Sequence, residues 1–159
     1  MPITILCVGK LRERFYADAE KEYVKRLSRL MPVTVLELPD EREPENLSAA
    51  LCAQVLRKEG ERILARIPPQ EYVIALCVDA KQPASEELAE KLQTLFVQGK
   101  SHITFVIGGS LGLSAQVLAR ANERMGMSRM TFPHQLARVV LLEQLFRSAK
   151  INAGERYHK

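Results

Sequence analysis

The sequence predicts an α/β fold: a mostly parallel sheet with helices on both faces. Two observations carry this. Short β-rich apolar segments alternate with longer, charged segments whose apolar residues recur every three or four positions. Two of the apolar segments, Tyr72–Val78 and Ile103–Ile107, are continuous rather than alternating, as strands covered on both faces are.

The elements follow in order. Ile3–Val8 is apolar and β-rich and reads as the first strand. Phe15–Leu30 is helical, with Phe15, Ala19, Tyr23 and Leu27 on one face, and Pro32 stops it. Val33–Leu38 is a second strand, followed by a charged, Pro-flanked loop at 39–44. Asn46 is placed to cap the next helix, whose stripe is Leu47, Leu51, Val55, Ile63 and Ile67, and which ends at Pro68-Pro69. After the Tyr72–Val78 strand, Ser85 is expected to cap a helix with Glu86 and Glu87 at the positive end of its dipole and Gly99 at its close. The Ile103–Ile107 strand leads into Gly108-Gly109-Ser110-Leu111-Gly112 and a short helix from Ser114. Thr131-Phe132 reads as extended, Gln135–Lys150 as a long last helix, and Ile151–Lys159 as a polar tail. With no repeat, linker or low-complexity stretch, residues 1–159 are expected to form a single domain.

Composition narrows the function classes. The chain is 47% hydrophobic and 26% charged, ordinary for a globular protein. No apolar run approaches the ~20 residues of a membrane span. The start lacks a basic region and is too short for a signal peptide, so a cytoplasmic protein is expected, with no membrane partner. Cys7, Cys52 and Cys77 are far apart and form no CxxC pair, which reads as buried free thiols and no metal site. A net charge of +4 permits an RNA partner without demanding one.

Four segments could carry chemistry. The glycines at 108, 109 and 112 follow a strand and precede a helix, where α/β sheets bind ligands. They match neither the dinucleotide nor the phosphate-loop spacing, and a plain tight turn and a ligand loop remain equally open. Met127–His134 could offer backbone groups beside apolar side chains to a flat heteroaromatic ring, or could be an edge strand and turn with a structural His134. The last helix is apolar almost all the way round, which suggests burial on several sides and a homodimer; Glu143 and Arg147 share one of its faces as a partly buried pair or a surface one. The tail ends in Tyr157-His158-Lys159, suited to stacking on a nucleotide or simply solvated.

The combination of IGGSLGLS at 107–114, MTFPHQLARVVLLEQLFRSAKI at 130–151 and a terminal YHK resembles the ribosomal RNA large-subunit methyltransferase H family, of the SPOUT class of knotted methyltransferases; the likeness runs over the whole chain. The resemblance implies a SPOUT-type α/β fold with a C-terminal trefoil knot, a homodimer, and methyl transfer from S-adenosylmethionine to N3 of a pseudouridine in 23S ribosomal RNA within the ribosome. It implies cofactor contacts at Leu76, Gly108, Met127, Ser128, Arg129, Met130, Thr131 and Phe132. Ser110-Leu111 stand where the family often carries proline or an acid. Glu143, Arg147, Tyr157 and His158 are the candidates for orienting the target base and easing loss of its proton. A knotted methyltransferase for another RNA and a non-catalytic ribosome-associated protein are the alternatives.

Overall fold

The computed structural model describes residues 2–46 and 48–159. In chain order the elements are β1 (Ile3–Val8), α1 (Arg14–Leu27), β2 (Val33–Leu38), α2 (Ala49–Leu64), β3 (Tyr72–Leu76), α3 (Ser85–Val97), β4 (Ile103–Ile107), α4 (Ala115–Arg120), β5 (Glu123–Met125) and α5 (His134–Asn152). Among the described residues the strands form one five-stranded sheet, ordered β2-β1-β4-β3-β5, with every neighbouring pair parallel. The register places Ile5 between Val35 and Phe105, and Ile74 between Phe105 and Glu123.

Alternation along the buried strands makes two cores. Ile3, Ile5 and Cys7 of β1, with Ile103, Phe105 and Ile107 of β4, face α1, α3 and α5. Leu6, Val8, Val73 and Val106 face α2 and α4, meeting Ile63 and Val117. The expected layering, with helices on both faces, is what the chain adopts.

Several element boundaries differ from the sequence reading, each for a local reason. α1 stops at Leu27, where the N–H groups of Leu30 and Met31 turn back to the Leu27 carbonyl. Its predicted stripe is seated only at the C-terminal end: Leu27 is fully buried, whereas Phe15 is 63% exposed. Ser48, not Asn46, caps α2, its Oγ accepting from Leu51 N at 3.2 Å; Leu47 lies outside the described residues. That helix ends at Leu64, and Ile67 is buried in the turn that follows. β3 ends at Leu76, and Val78 beyond it is 61% exposed. At α3 the cap residue is Ala84, whose N–H the Glu87 carboxylate accepts at 2.7 Å. Ser85 instead bonds Gln144 across to α5 at 2.7 Å. Gly99, at φ +81°, closes α3 with paired bonds from Gly99 N to Phe96 O and Lys100 N to Leu95 O. β5 was not visible in the sequence: three residues long, with only Met125 fully buried, it carries no periodic signal. Thr131 and Phe132 adopt no regular structure. The thiols are free, but only Cys7 is buried, and burial pushes it up to about 12.

α5 accounts for its own composition. From His134 to Ile151 no residue is exposed, because α1, α3 and the sheet enclose it. Leu141, Leu142 and Leu145 are at 0% exposure, and each such burial contributes about 1.5–3 kcal/mol. The surprise is Arg138, 1% exposed among them. Its guanidinium donates to Glu37 on β2 at 2.7 Å, to Glu20 on α1 at 3.1 Å, and to the Gly9 carbonyl after β1 at 3.1 Å. Gly9 sits at φ +95°, a conformation an L side chain rarely adopts. Burial holds Glu20 above the ordinary carboxylate range despite the guanidinium beside it.

Removing one partner of such a network leaves buried charge behind, which costs more than the pair itself gains. Arg138→Ala is expected to lose about 3–5 kcal/mol of unfolding free energy in urea titrations. Arg147→Ala, on the same helix but with its side chain 25% exposed, should lose under about 1 kcal/mol. Equal losses would show that the Arg138 cluster is not a keystone.

Candidate functional site

Because all the strands run the same way, their carboxyl ends meet at one edge of the sheet, and loops rather than helices occupy that edge. β3, β4 and β5 end at Leu76, Ile107 and Met125. The segments that follow them enclose a cleft of roughly 150 Å³. Seven of the eight residues expected to hold a cofactor line it: Leu76, Gly108, Met127, Ser128, Met130, Thr131 and Phe132. Arg129 does not line it and is exposed.

The glycine turn is built for itself before any ligand. A Cβ on Gly108 would lie 2.4 Å from the Gly112 carbonyl oxygen. Gly112 N donates to Gly109 O at 3.1 Å, and Gly112 takes φ +85°. The sequence reading attributes the glycines to approach of a ligand; at Gly108 the structure gives a different reason, collision within the loop. Gly126 is a site residue the sequence reading missed. Its Cβ would meet the Ala80 carbonyl oxygen at 2.5 Å, and its N–H donates to Lys81 O at 2.9 Å. The chain leaving β5 therefore presses against the β3–α3 connection, an arrangement compatible with a threaded C-terminus. A glycine between two methionines was the only signal.

Beyond Gly126, backbone groups are left over. Met130 N bonds Ser128 Oγ at 3.0 Å. The N–H groups of Met127, Arg129, Thr131 and Phe132 find no acceptor among the described residues. Free backbone donors beside Met127, Met130 and Phe132 side chains suit a flat ring with polar edges and apolar faces.

The structure brings the other four expected residues together, but elsewhere. Arg147 Nη2 donates to Glu143 Oε1 at 2.6 Å, and Tyr157 OH donates to the same oxygen at 3.0 Å. The Tyr157 ring lies under the Arg147 guanidinium at 4.7 Å and meets Phe146 edge-on at 4.9 Å. Burial, then Glu143, raises the Tyr157 phenol above its usual range, keeping it a donor at neutral pH. His158 Nδ1 faces Arg147 Nη1 at 3.3 Å, so it accepts, and Nε2 carries the hydrogen donated to Glu86 at 2.6 Å. Glu86, on α3, was not among the expected residues. The tail is thus docked rather than solvated at Tyr157 and His158. None of the four lines the cleft.

A second cavity, of about 410 Å³, lies along the same edge beyond β1 and β2 and shares Gly109 and His134 with the cleft. Burial, with Arg138 next, lowers the His134 pKa and keeps the imidazole unprotonated at neutral pH. The cavity contains Glu59, a carboxylate only 5% exposed on α2. Its Oε2 accepts from Glu41 N at 2.9 Å. Burial is the main cause that raises its pKa, with Asp40 adding to it. The sequence reading passed over Glu59 because a lysine, a glycine and another glutamate surround it on an ordinary polar helix face.

Comparison with known proteins bears on this geometry. A family model described as "Predicted SPOUT methyltransferase" matches residues 1–158. Proteins named ribosomal RNA large subunit methyltransferase H, from Listeria monocytogenes, Bacillus cytotoxicus and Clostridium novyi, are 55%, 54% and 54% identical over 159 residues, covering 100% of this chain and of each of theirs. Among solved structures, a Legionella pneumophila protein described as a methyltransferase, with the cofactor SAM bound, is similar over 94% of this chain and 66% of its own, with a TM-score of 0.50 and 12% identity. At that identity the likeness is one of fold.

Glu59 yields a prediction with a definite sign. A carboxyl whose folded pKa is raised weakens the fold while it is charged in both states. The penalty is complete above the raised folded pKa and gone below the ordinary value of 4.5. Glu59→Gln keeps an acceptor for Glu41 N and is expected to unfold at a higher temperature than the parent at neutral pH. Calorimetric scans should show the gap closing as pH falls toward 4.5. A variant less stable at neutral pH would mean the charge supports the fold.

Proposed function

The chain belongs to the SPOUT methyltransferase family, and from that membership we propose that it methylates large-subunit ribosomal RNA, at N3 of a pseudouridine in 23S RNA within the ribosome, with S-adenosylmethionine as methyl donor. The observation that carries this reading is the cleft at the carboxyl ends of β3, β4 and β5. Seven of the residues matching the family's cofactor contacts converge there from three separate segments. Leu76 and the methionines offer apolar walls for an adenine ring, and the unused N–H groups of residues 127–132 offer partners for its edge. When bound, the cofactor supplies a methyl group already activated by its sulfonium. The protein's part is to align the target nitrogen with it and to ease departure of that nitrogen's proton.

Glu143, Arg147, Tyr157 and His158 are the residues we assign to orienting the base. Ala137 borders the cleft, and Arg147 lies ten residues further along α5, about 15 Å at the usual rise. One chain's cluster is therefore remote from its own cleft. A homodimer in which the tail of one protomer serves the cleft of the other resolves this. The apolar circumference of α5 no longer supports the dimer, since α1, α3 and the sheet already cover it. The separation of cluster and cleft does. We take residues 1–159 to act as one domain. Among the described residues no helix is long and apolar enough to cross a membrane, and a ribosomal substrate places the protein in the cytoplasm.

Mass spectrometry of ribosomal RNA from a deletion strain, with and without the protein restored, tests the activity. The methyl group should vanish from one pseudouridine and return. A chain ending at Arg156 should bind S-adenosylmethionine as the full chain does yet fail in single-turnover methylation of ribosomes. Tyr157→Ala alone should lower kcat/KM about 10-fold, the scale of one aromatic stacking contact. Sedimentation at micromolar protein should give twice the monomer mass. A monomer that methylates would remove both the dimer and the shared site.

A further inference from the structure

The cavity beside the cofactor cleft has no role in the reading above, yet it contains a charged group that the fold does not satisfy. Glu59 is 5% exposed and only one of its oxygens has a protein partner, Oε2 with Glu41 N at 2.9 Å. Oε1 accepts no hydrogen bond and borders the open cavity. The nearby guanidinium of Arg62 is committed elsewhere, to Glu41 at 2.7 Å and the Pro39 carbonyl at 3.0 Å. A carboxylate this buried is costly unless a cation or proton meets it.

Position and size connect this cavity to the cleft. The two share Gly109 and His134. A Cβ on Gly109 would lie 3.4 Å and 3.5 Å from the Glu59 oxygens, so the carboxylate rests directly against the turn that borders the cleft. The cleft alone, at roughly 150 Å³, is smaller than the ~300–1,000 Å³ that small-molecule sites usually offer. A ligand whose ring fills it must extend, and the 410 Å³ cavity lies across the shared wall. Asp40 adds a second acid to the cavity, and Arg12 and Arg42 bring cations to its rim.

We propose that this cavity is the subsite for the α-amino-acid end of the sulfonium cofactor, with Glu59 and Asp40 receiving the ammonium and Arg12 and Arg42 the carboxylate. The proposal rests on the cofactor reading above. A zwitterion matches acids and guanidiniums in one cavity; an RNA phosphate would meet Glu59 and Asp40 with like charge. Burial holds the Glu59 pKa up in the empty cavity, and an arriving ammonium would lower it.

Calorimetric titration separates the two readings. The probes are S-adenosylhomocysteine and 5′-methylthioadenosine, which share adenosine and thioether but differ in the amino-acid end. The native protein should prefer S-adenosylhomocysteine. Glu59→Gln should weaken S-adenosylhomocysteine about 10- to 100-fold, the range for losing a charge-assisted contact, and leave 5′-methylthioadenosine unchanged. That unchanged affinity also shows that the variant is folded. Equal affinity of the native protein for both probes, equal weakening of both in the variant, or no weakening of either would overturn the subsite while leaving the cleft standing. If the native protein binds neither probe, the cofactor reading fails, and the subsite fails with it.

Discussion

The geometry of the ligand edge depends on how α5 is held, and the one polar interaction that holds it is the buried guanidinium of Arg138. Leucines can bury a helix at many rotations and heights, because dispersion is non-directional. Hydrogen bonds to Glu37, Glu20 and the Gly9 carbonyl cannot be made at many. They join α5 to β2, to α1 and to the end of β1 at once. Since His134 opens α5 and Glu143 and Arg147 sit further along it, the same bonds set where the junction of the two cavities and the C-terminal cluster lie relative to the sheet. The Nε of Arg138 goes without a partner, so geometry rather than stability is the stronger account of its presence.

A parallel sheet concentrates function at one edge. β1 through β5 all deliver their carboxyl ends there, and two cavities occupy it side by side. The chain accepts local costs at this edge. Glu59 is kept from water with one hydrogen bond, backbone donors of residues 127–132 are left without protein partners, and Val78 and Met130 are 61% and 76% exposed beside the cleft. Groups that a stable core would satisfy are the ones a ligand can use.

The C-terminal cluster follows a different logic. Tyr157 packs on Phe146 and under Arg147 while its hydroxyl reaches Glu143, and His158 bridges Arg147 and Glu86. Each contact is exposed enough to be modest alone. A tail held by several such contacts is ordered yet able to exchange partners, which suits a segment that serves a neighbouring subunit.

The layered α/β architecture was legible in the sequence because period-two apolar strands and period-four helices need no distant information. Glu143 and Arg147 were legible as a pair for the same reason: four residues along one helix places them on one face. The cleft residues and the tail were legible only through family resemblance, since glycines, methionines and a terminal tyrosine carry little meaning by spacing. Three things lay beyond the sequence. β5 exists because β3 offers an edge, not because Glu123–Met125 favours a strand. Arg138 looked like a polar interruption of an apolar helix and is instead its deepest residue, because Glu20 and Glu37 come to it from 118 and 101 positions away. Glu59 looked like surface, and became a buried acid only when the turn at Gly109 and the loop at Glu41 closed over it. The sequence by itself determined what is periodic and local; tertiary structure decided which charges are buried and which loops share a cavity, because both depend on contacts between residues far apart in the chain.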